Sequence, residues 1–288
     1  MFALVLAAVS LTAVGQPPMM APVSKTVTHE LRAGEVKMAI DANHGGKILS
    51  LTYQDKEVIS QSRWPESFGS TFWTSPQKEW NWPPVTEFDK GAYSVEETGG
   101  RLILTSAVSE RLGFRIRKEF VADEANGCFV VTYTIVNEGN ESRQVAPWEI
   151  TRVPNEGVIF FDAPIDGVTP AGLLPLKAEA GAVWYVADEA SANRKINADG
   201  KGWLAYLNNG LVLVKKFDDL TASQPAPDEA EIQVYVNRGK TYIELESQGA
   251  YTMLKPHEEL SWTVRWYLLP AGDAVGKAEQ LVRMVTGL

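Results

Sequence analysis

The sequence predicts an all-β protein made of two large antiparallel sheets packed face to face, with a short helix at the C-terminal end. Three observations carry this. Short runs rich in β-branched and aromatic residues recur along the chain, separated by Gly, Asn and Asp turn residues. Pairs such as Gly45–Gly46, Gly99–Gly100 and Asn209–Gly210 sit between consecutive runs, where a tight hairpin needs positive φ. There are well over a dozen runs without a composition shift between them, more than a seven-stranded sandwich uses, and no fixed period marks a propeller.

The chain opens with an apolar run at 1–15 ending in the small residues Ala13 and Gly15, which reads as a secretory signal peptide although the usual early Lys or Arg is missing. The run is too short and too rich in small residues for a membrane span, and no cysteine follows it for a lipid anchor. A Pro-rich linker at 16–28 leads into a single domain at 29–288. In order, strands are expected at 37–41, 47–53, 57–59, 93–97, 101–106, 114–121, 129–137 and 144–153. Further strands follow at 157–161, 182–186, 202–207, 211–217, 231–236, 241–247 and 260–269. Only 273–286 has helical spacing, with Asp273 as N-cap and Ala278, Leu281, Val282 and Val285 as an apolar stripe.

The segment 68–84, Phe-Gly-Ser-Thr-Phe-Trp-Thr-Ser-Pro-Gln-Lys-Glu-Trp-Asn-Trp-Pro-Pro, interrupts this pattern. Its Gly, Ser, Asn and Pro content argues for a loop and against a long helix or a central strand. An aromatic-rich loop needs a reason, because large exposed rings gain nothing from water. One reading is a sugar platform in which Trp73, Trp80 and Trp82 stack on C–H faces while Gln77, Asn81, Ser70 and Thr71 bond hydroxyls. The other is a plug of rings that closes the end of the sandwich.

Composition excludes several functions. A net charge of −9 and a pI near 5.0 leave no basic face for nucleic acid. The single cysteine, Cys128, cannot form an internal disulfide and reads as a core thiol, which suits an exported bacterial protein of the periplasm or medium. The three histidines lack metal-ligand spacing, and there is no Cys-x-x-Cys, Gly-x-Ser-x-Gly or phosphate-cradling loop, so neither a metal nor another cofactor is expected.

Strand alternation sorts the remaining candidates. At 241–247, Ile243 and Leu245 share one face while Tyr242, Glu244 and Glu246 share the other, a pair of like charges that in a groove could act as acid and base. At 144–153, Trp148, Ile150 and Arg152 share a face opposite Val145, Glu149 and Thr151. Neither side of this strand is cleanly apolar, as in strands that line binding cavities. Lys215 and Lys216 close an apolar strand, so one must point inward; an inward lysine beside a cavity, for which Lys216 stands, would be a substrate contact, and a strand-end lysine snorkelling to solvent is the alternative.

Taken together, 43–51 (Asn-His-Gly-Gly-Lys-Ile-Leu-Ser-Leu), 131–138 (Val-Thr-Tyr-Thr-Ile-Val-Asn-Glu) with Ala146-Pro-Trp148, and 243–258 before Trp262 resemble the galactose mutarotase-like superfamily. The chain is most similar in these features to exported bacterial members with a Gly-Ser-Thr-Phe-Trp…Trp-Pro-Pro loop. The resemblance implies a β-supersandwich, a carbohydrate ligand, and a late glutamate that deprotonates the anomeric hydroxyl, for which Glu244 and Glu246 both stand. It also implies a histidine that protonates the ring oxygen; there the chain reads Pro147-Trp-Glu-Ile-Thr-Arg152, so Glu149 or Arg152 would take its place. The expected function is carbohydrate binding, with acid/base chemistry on sugars by Glu246, Glu149 and Glu244 if the protein is catalytic. The alternative is a non-catalytic module of the bacterial cell envelope.

Overall fold

The structure, a computed structural model, describes residues 28–63 and 67–288. The expected signal peptide and all but the last residue of the expected linker lie outside these residues.

The first strands are β1 (Thr28–Ala33), β2 (Val36–Asp41), β3 (Lys47–Tyr53), β4 (Lys56–Glu57) and β5 (Ser70–Ser75), followed by the one-turn helix α1 (Thr86–Asp89). Next come β6 (Ser94–Thr98), β7 (Arg101–Thr105), β8 (Phe114–Asp123), β9 (Cys128–Asn137), β10 (Arg143–Pro154), β11 (Val158–Phe161), β12 (Lys177–Glu179) and β13 (Ala182–Val186). The chain ends with β14 (Arg194–Ala198), β15 (Trp203–Asn208), β16 (Leu211–Lys216), β17 (Ile232–Val236), β18 (Tyr242–Gln248), β19 (Thr252–Leu254), β20 (Glu259–Pro270) and α2 (Ala278–Thr286).

These strands form the two large antiparallel sheets that the turn pattern predicts. One runs β1-β2-β3-β5-β10-β18-β17-β14, with β4 beside β3 and β19 beside β10. The other runs β12-β13-β11-β15-β16-β20-β9-β8-β7-β6. Asn209 and Gly210, at φ 49° and 74°, make the tight β15–β16 hairpin that their sequence signals.

The inner faces meet in one apolar core. Phe72 of β5 stacks on Tyr133 of β9 at 4.4 Å within this core; Ile150 and Trp148, on the outer side of β10, are buried as well. The outer face of the second sheet is covered by α2, whose Leu281 and Val285 pack with Cys128, Phe160, Val212 and Tyr267. Cys128 is the buried free thiol its strand position implies. Asp273, by contrast, lies in a 3-10 turn and caps nothing; α2 starts after Lys277.

The largest departure from expectation is β5. Averaging composition over 68–84 hides the fact that Ser70–Ser75 is itself a run of strand-forming residues, and all six are buried between β3 and β10. Gly69 begins it at φ 62°, where an added Cβ would lie 2.5 Å from the Ile48 carbonyl oxygen. The loop begins only at Pro76.

The sheets are also joined by charge. Lys215 of β16 reaches 2.9 Å to Glu149 of β10, and both side chains are fully buried. Tyr133 donates to the other Glu149 oxygen at 2.8 Å, and Lys215 also donates to Thr151 at 3.1 Å. Removing one member strands the other charge in an apolar core. Lys215→Met is expected to cost about 3–5 kcal/mol in urea unfolding, and adding Glu149→Gln, which still accepts from Tyr133, should recover much of that loss. A double variant no more stable than the single one would mean that charge pairing is not what this contact provides.

Candidate functional site

The register of the first sheet determines which side chains leave the core. Residues directly opposite one another on paired strands share a face. Trp148, Ile150 and Arg152 of β10 lie opposite Gln248, Glu246 and Glu244 of β18, and Trp73 of β5 lies opposite Trp148. On the far side, Gln233 and Tyr235 of β17 lie opposite Glu246 and Glu244, and Lys195 of β14 lies opposite Tyr235. All of these project from the sheet's outer face, over which residues 76–90 fold as a roof.

Two adjoining hollows, of 210 Å³ and 320 Å³, lie between that face and the roof, and both are bordered by Ser67, Trp73 and Trp82. The smaller is completed by Gln77, Trp148, Lys195, Tyr235, Tyr242, Glu244 and Glu246. Arg152, Asp89, Lys90 and the Pro83–Pro84 pair complete the larger. A roomier hollow of 390 Å³ elsewhere is edged by Asp199, Asp228 and Glu231 but has no aromatic wall. A hollow of 440 Å³ on the second sheet does set Phe217 and Tyr267 beside Lys216, Asp218 and Arg265, but the paired hollows bring indoles together with carboxylates that are themselves buried.

The roof is fixed from both ends. Trp80 is buried, donates its indole N–H to the Thr74 carbonyl oxygen at 2.8 Å, and meets Trp73 edge to face at 5.5 Å. Trp73 donates to Asp89 of α1 at 2.9 Å, and Thr71 donates to the same carboxylate oxygen. Gly45 lets α1 approach closely, since a Cβ there would sit 2.3 Å from the Asp89 carbonyl oxygen. Trp82 remains 64% exposed and edge-on to Trp73 at 6.2 Å. Among the loop's rings, Trp80 is packing, Trp82 is open surface, and Trp73 contacts both.

The two late glutamates occupy different environments. Glu244 accepts from the Arg152 guanidinium at 2.9 Å. Arg152 is itself buried, lies over the rings of Trp73 and Tyr242, and also donates to the Phe68 carbonyl oxygen. Glu246 accepts from the Trp148 indole at 2.9 Å and from Lys195 at 3.0 Å. Burial raises the Glu246 pKa to about 7; Lys195 opposes the rise, and Glu244 and Glu229 add to it. Burial pulls Lys195 the other way, but the carboxylates of Glu246, Glu229 and Glu244 hold its pKa above the ordinary value. Asp89 is also buried, yet Lys47, the Trp73 and Thr71 hydrogen bonds and Arg152 keep its pKa below the usual carboxylate range.

The structure therefore brings together Trp73, Gln77, Trp82, Trp148, Arg152, Glu244 and Glu246 of the expected site. It does not bring in Glu149, which faces the core because Lys215 and Tyr133 satisfy it there. Lys216 also departs from expectation: Lys215 is the inward lysine, and Lys216 bonds the Leu288 carbonyl oxygen at 2.7 Å on the opposite sheet. Trp80 is enclosed, Asn81 is exposed and borders neither hollow, and the Ser70 and Thr71 hydroxyls are used within the protein. Lys195, Tyr235 and Asp89 escaped the sequence reading. The first two lie on alternating runs, 194–198 and 232–236, whose period would have placed them; for Asp89 no local pattern exists.

No histidine borders either hollow; of the two residues offered in its place, Arg152 borders the larger hollow and Glu149 faces the core. What the arrangement offers chemically is a carboxyl group able to gain or lose a proton near neutrality, a second carboxyl group paired with an arginine, and indole surfaces.

The sequence matches no protein-family model and no curated protein. The fold does have solved counterparts. A galactose mutarotase-like protein from Lactobacillus casei superposes with a TM-score of 0.59 at 12% identity, over 84% of this chain and all of that one (100%). A galactose mutarotase related enzyme from Lactobacillus acidophilus gives 0.58 at 10%, over 86% of this chain and 99% of that one. A galactose mutarotase-like protein from Clostridium acetobutylicum gives 0.55 at 11%, over 84% and 94%. At these identities the likeness is one of fold: the chain has the galactose mutarotase-like β-sandwich.

The raised pKa of Glu246 has a thermodynamic consequence. Between the ordinary value of 4.5 and about 7, the folded chain keeps a proton that the unfolded chain releases. The group therefore stabilises the fold most at the acid end, and that contribution is lost as pH rises through about 7. Relative to Glu246→Gln, the wild type is expected to lose stability on the order of a few kcal/mol in urea unfolding from pH 4.5 to pH 7.5. A difference that stays flat over this range would contradict the assignment.

Proposed function

We propose that this is an exported carbohydrate-binding protein whose site is the aromatic-roofed groove on the outer face of the first sheet. The observation that carries the reading is the convergence of Trp73, Trp82 and Trp148 with Glu244, Glu246, Lys195 and Arg152 around the same hollows. Sugar rings present apolar C–H faces and a rim of hydroxyls, so they suit a site where indoles alternate with paired charges that both donate and accept. The galactose mutarotase-like fold is consistent with a sugar ligand.

Within this reading Glu246 is the proton-exchanging group. Its protonated form would donate to a ring or bridging oxygen, and its ionised form would accept a hydroxyl proton, both near neutral pH. Glu244 stays with Arg152 and orients hydroxyls. Lys195 takes the charge left on Glu246 after proton loss. This supports epimerisation or glycan processing as the chemistry, with Glu246 as the proton donor and Arg152, which keeps its proton, as a fixed positive charge beside the sugar. Export rests on the apolar run at 1–15, and recovery of the protein from the periplasm or medium with a shortened N-terminus is the result expected on fractionation.

Calorimetric titration with saccharides tests the site. Trp82→Ala is expected to weaken binding about tenfold, ~1.4 kcal/mol, without loss of thermal stability, because the ring is largely exposed. Glu246→Gln should retain binding within a few-fold and abolish any turnover. Binding unaffected by Trp82→Ala would place the sugar elsewhere.

A further inference from the structure

Trp82 is the most exposed of the large apolar side chains among the described residues, at 64%, in a protein whose other loop indole, Trp80, is sealed. It is also one of three residues that border both hollows, with Trp73 and Ser67. A ring this open, in T-shaped contact with the packed Trp73, leaves most of its surface available while bordering both hollows. Each hollow has room for a ring-sized group, since at ~30 Å³ per water even the smaller holds the equivalent of about seven waters. The volumes beside Trp82 are 210 Å³ and 320 Å³.

The hollows also carry separate polar sets. One has Glu246, Lys195 and Gln77; the other has Arg152, Asp89 and Lys90. Arg152 and Glu244 link the two, since Arg152 borders one hollow and donates to Glu244, which borders the other.

We propose that the groove seats two consecutive sugar rings, one on each side of Trp82, so that its ligand is an oligosaccharide rather than a free monosaccharide. This rests on the carbohydrate reading above and adds to it a minimum ligand length. The reducing or linking oxygen nearest Glu246 belongs to the ring in the smaller hollow, and the second ring supplies binding energy at a distance from it.

The test uses a printed array of mono-, di- and trisaccharides of the common hexoses, N-acetylhexosamines and uronic acids, followed by calorimetry on each hit and its matched monosaccharide. Disaccharides are expected to bind at least tenfold tighter than their matched monosaccharides. Lys90→Ala, which alters only the larger hollow, should reduce that ratio at least threefold, whereas Lys195→Ala should weaken both lengths and leave the ratio in place. Equal affinity for one ring and two, or a ratio untouched by Lys90→Ala, would overturn the two-ring site while leaving carbohydrate binding standing. Absence of binding to any saccharide of any length would overturn both.

Discussion

Lys215 and Glu149 meet 2.9 Å apart between the two sheets, at a depth where neither touches water. Two charges in such a place tolerate little displacement, because sliding either strand would leave an ion in an apolar core at a cost of several kcal/mol. The pair therefore acts on β10 as a register pin. Side chains alternate along a strand, so fixing Glu149 inward sends Trp148 and Arg152 outward. Trp148 and Arg152 in turn bind Glu246 and Glu244 of β18. The outer face of the sheet inherits its geometry from an interaction on the inner one.

The same face shows how a fold keeps two glutamates two residues apart without equalising them. Arg152 satisfies Glu244, while Glu246 has the Trp148 indole and a single lysine against full burial, which leaves its pKa near 7. The roof adds to the contrast. Its buried member, Trp80, excludes water from behind Trp73, and Glu229 fastens it to the sheet by accepting from Gln77 of the roof and from Gln233 and Gln248 of the floor. Aromatic packing, charge pairing and proton affinity are thus one arrangement seen from three sides.

Much of this was legible in the residues. The period-two pattern at 241–247 placed Tyr242, Glu244 and Glu246 together, and all three border the smaller hollow. The hairpin signals marked the sheets. What local reading lacked was partner information. For β10 the alternation was clear, but the inner side carries Glu149, and nothing nearby in sequence reveals that Lys215 neutralises it across the core. The parity of Lys215 and Lys216 was undetermined for the same reason. β5 carries a loop signature when its Gly and Pro neighbours are averaged with it, although the six residues themselves are strand formers that pairing with β10 buries. Asp89 sits on a helix of four residues with no periodic signal, and only the folded chain shows it under Trp73.

The central claim is that the inward anchoring of β10 creates a sugar site on its outward face. A crystal structure of the protein with the tightest-binding saccharide found on the array tests it most directly. The account predicts a sugar ring against Trp82 and Trp73, with an oxygen within hydrogen-bond distance of Glu246 and a neighbouring ring beside Arg152. A saccharide seated on the opposite sheet, or one that leaves Trp82 and Glu246 untouched, would contradict it.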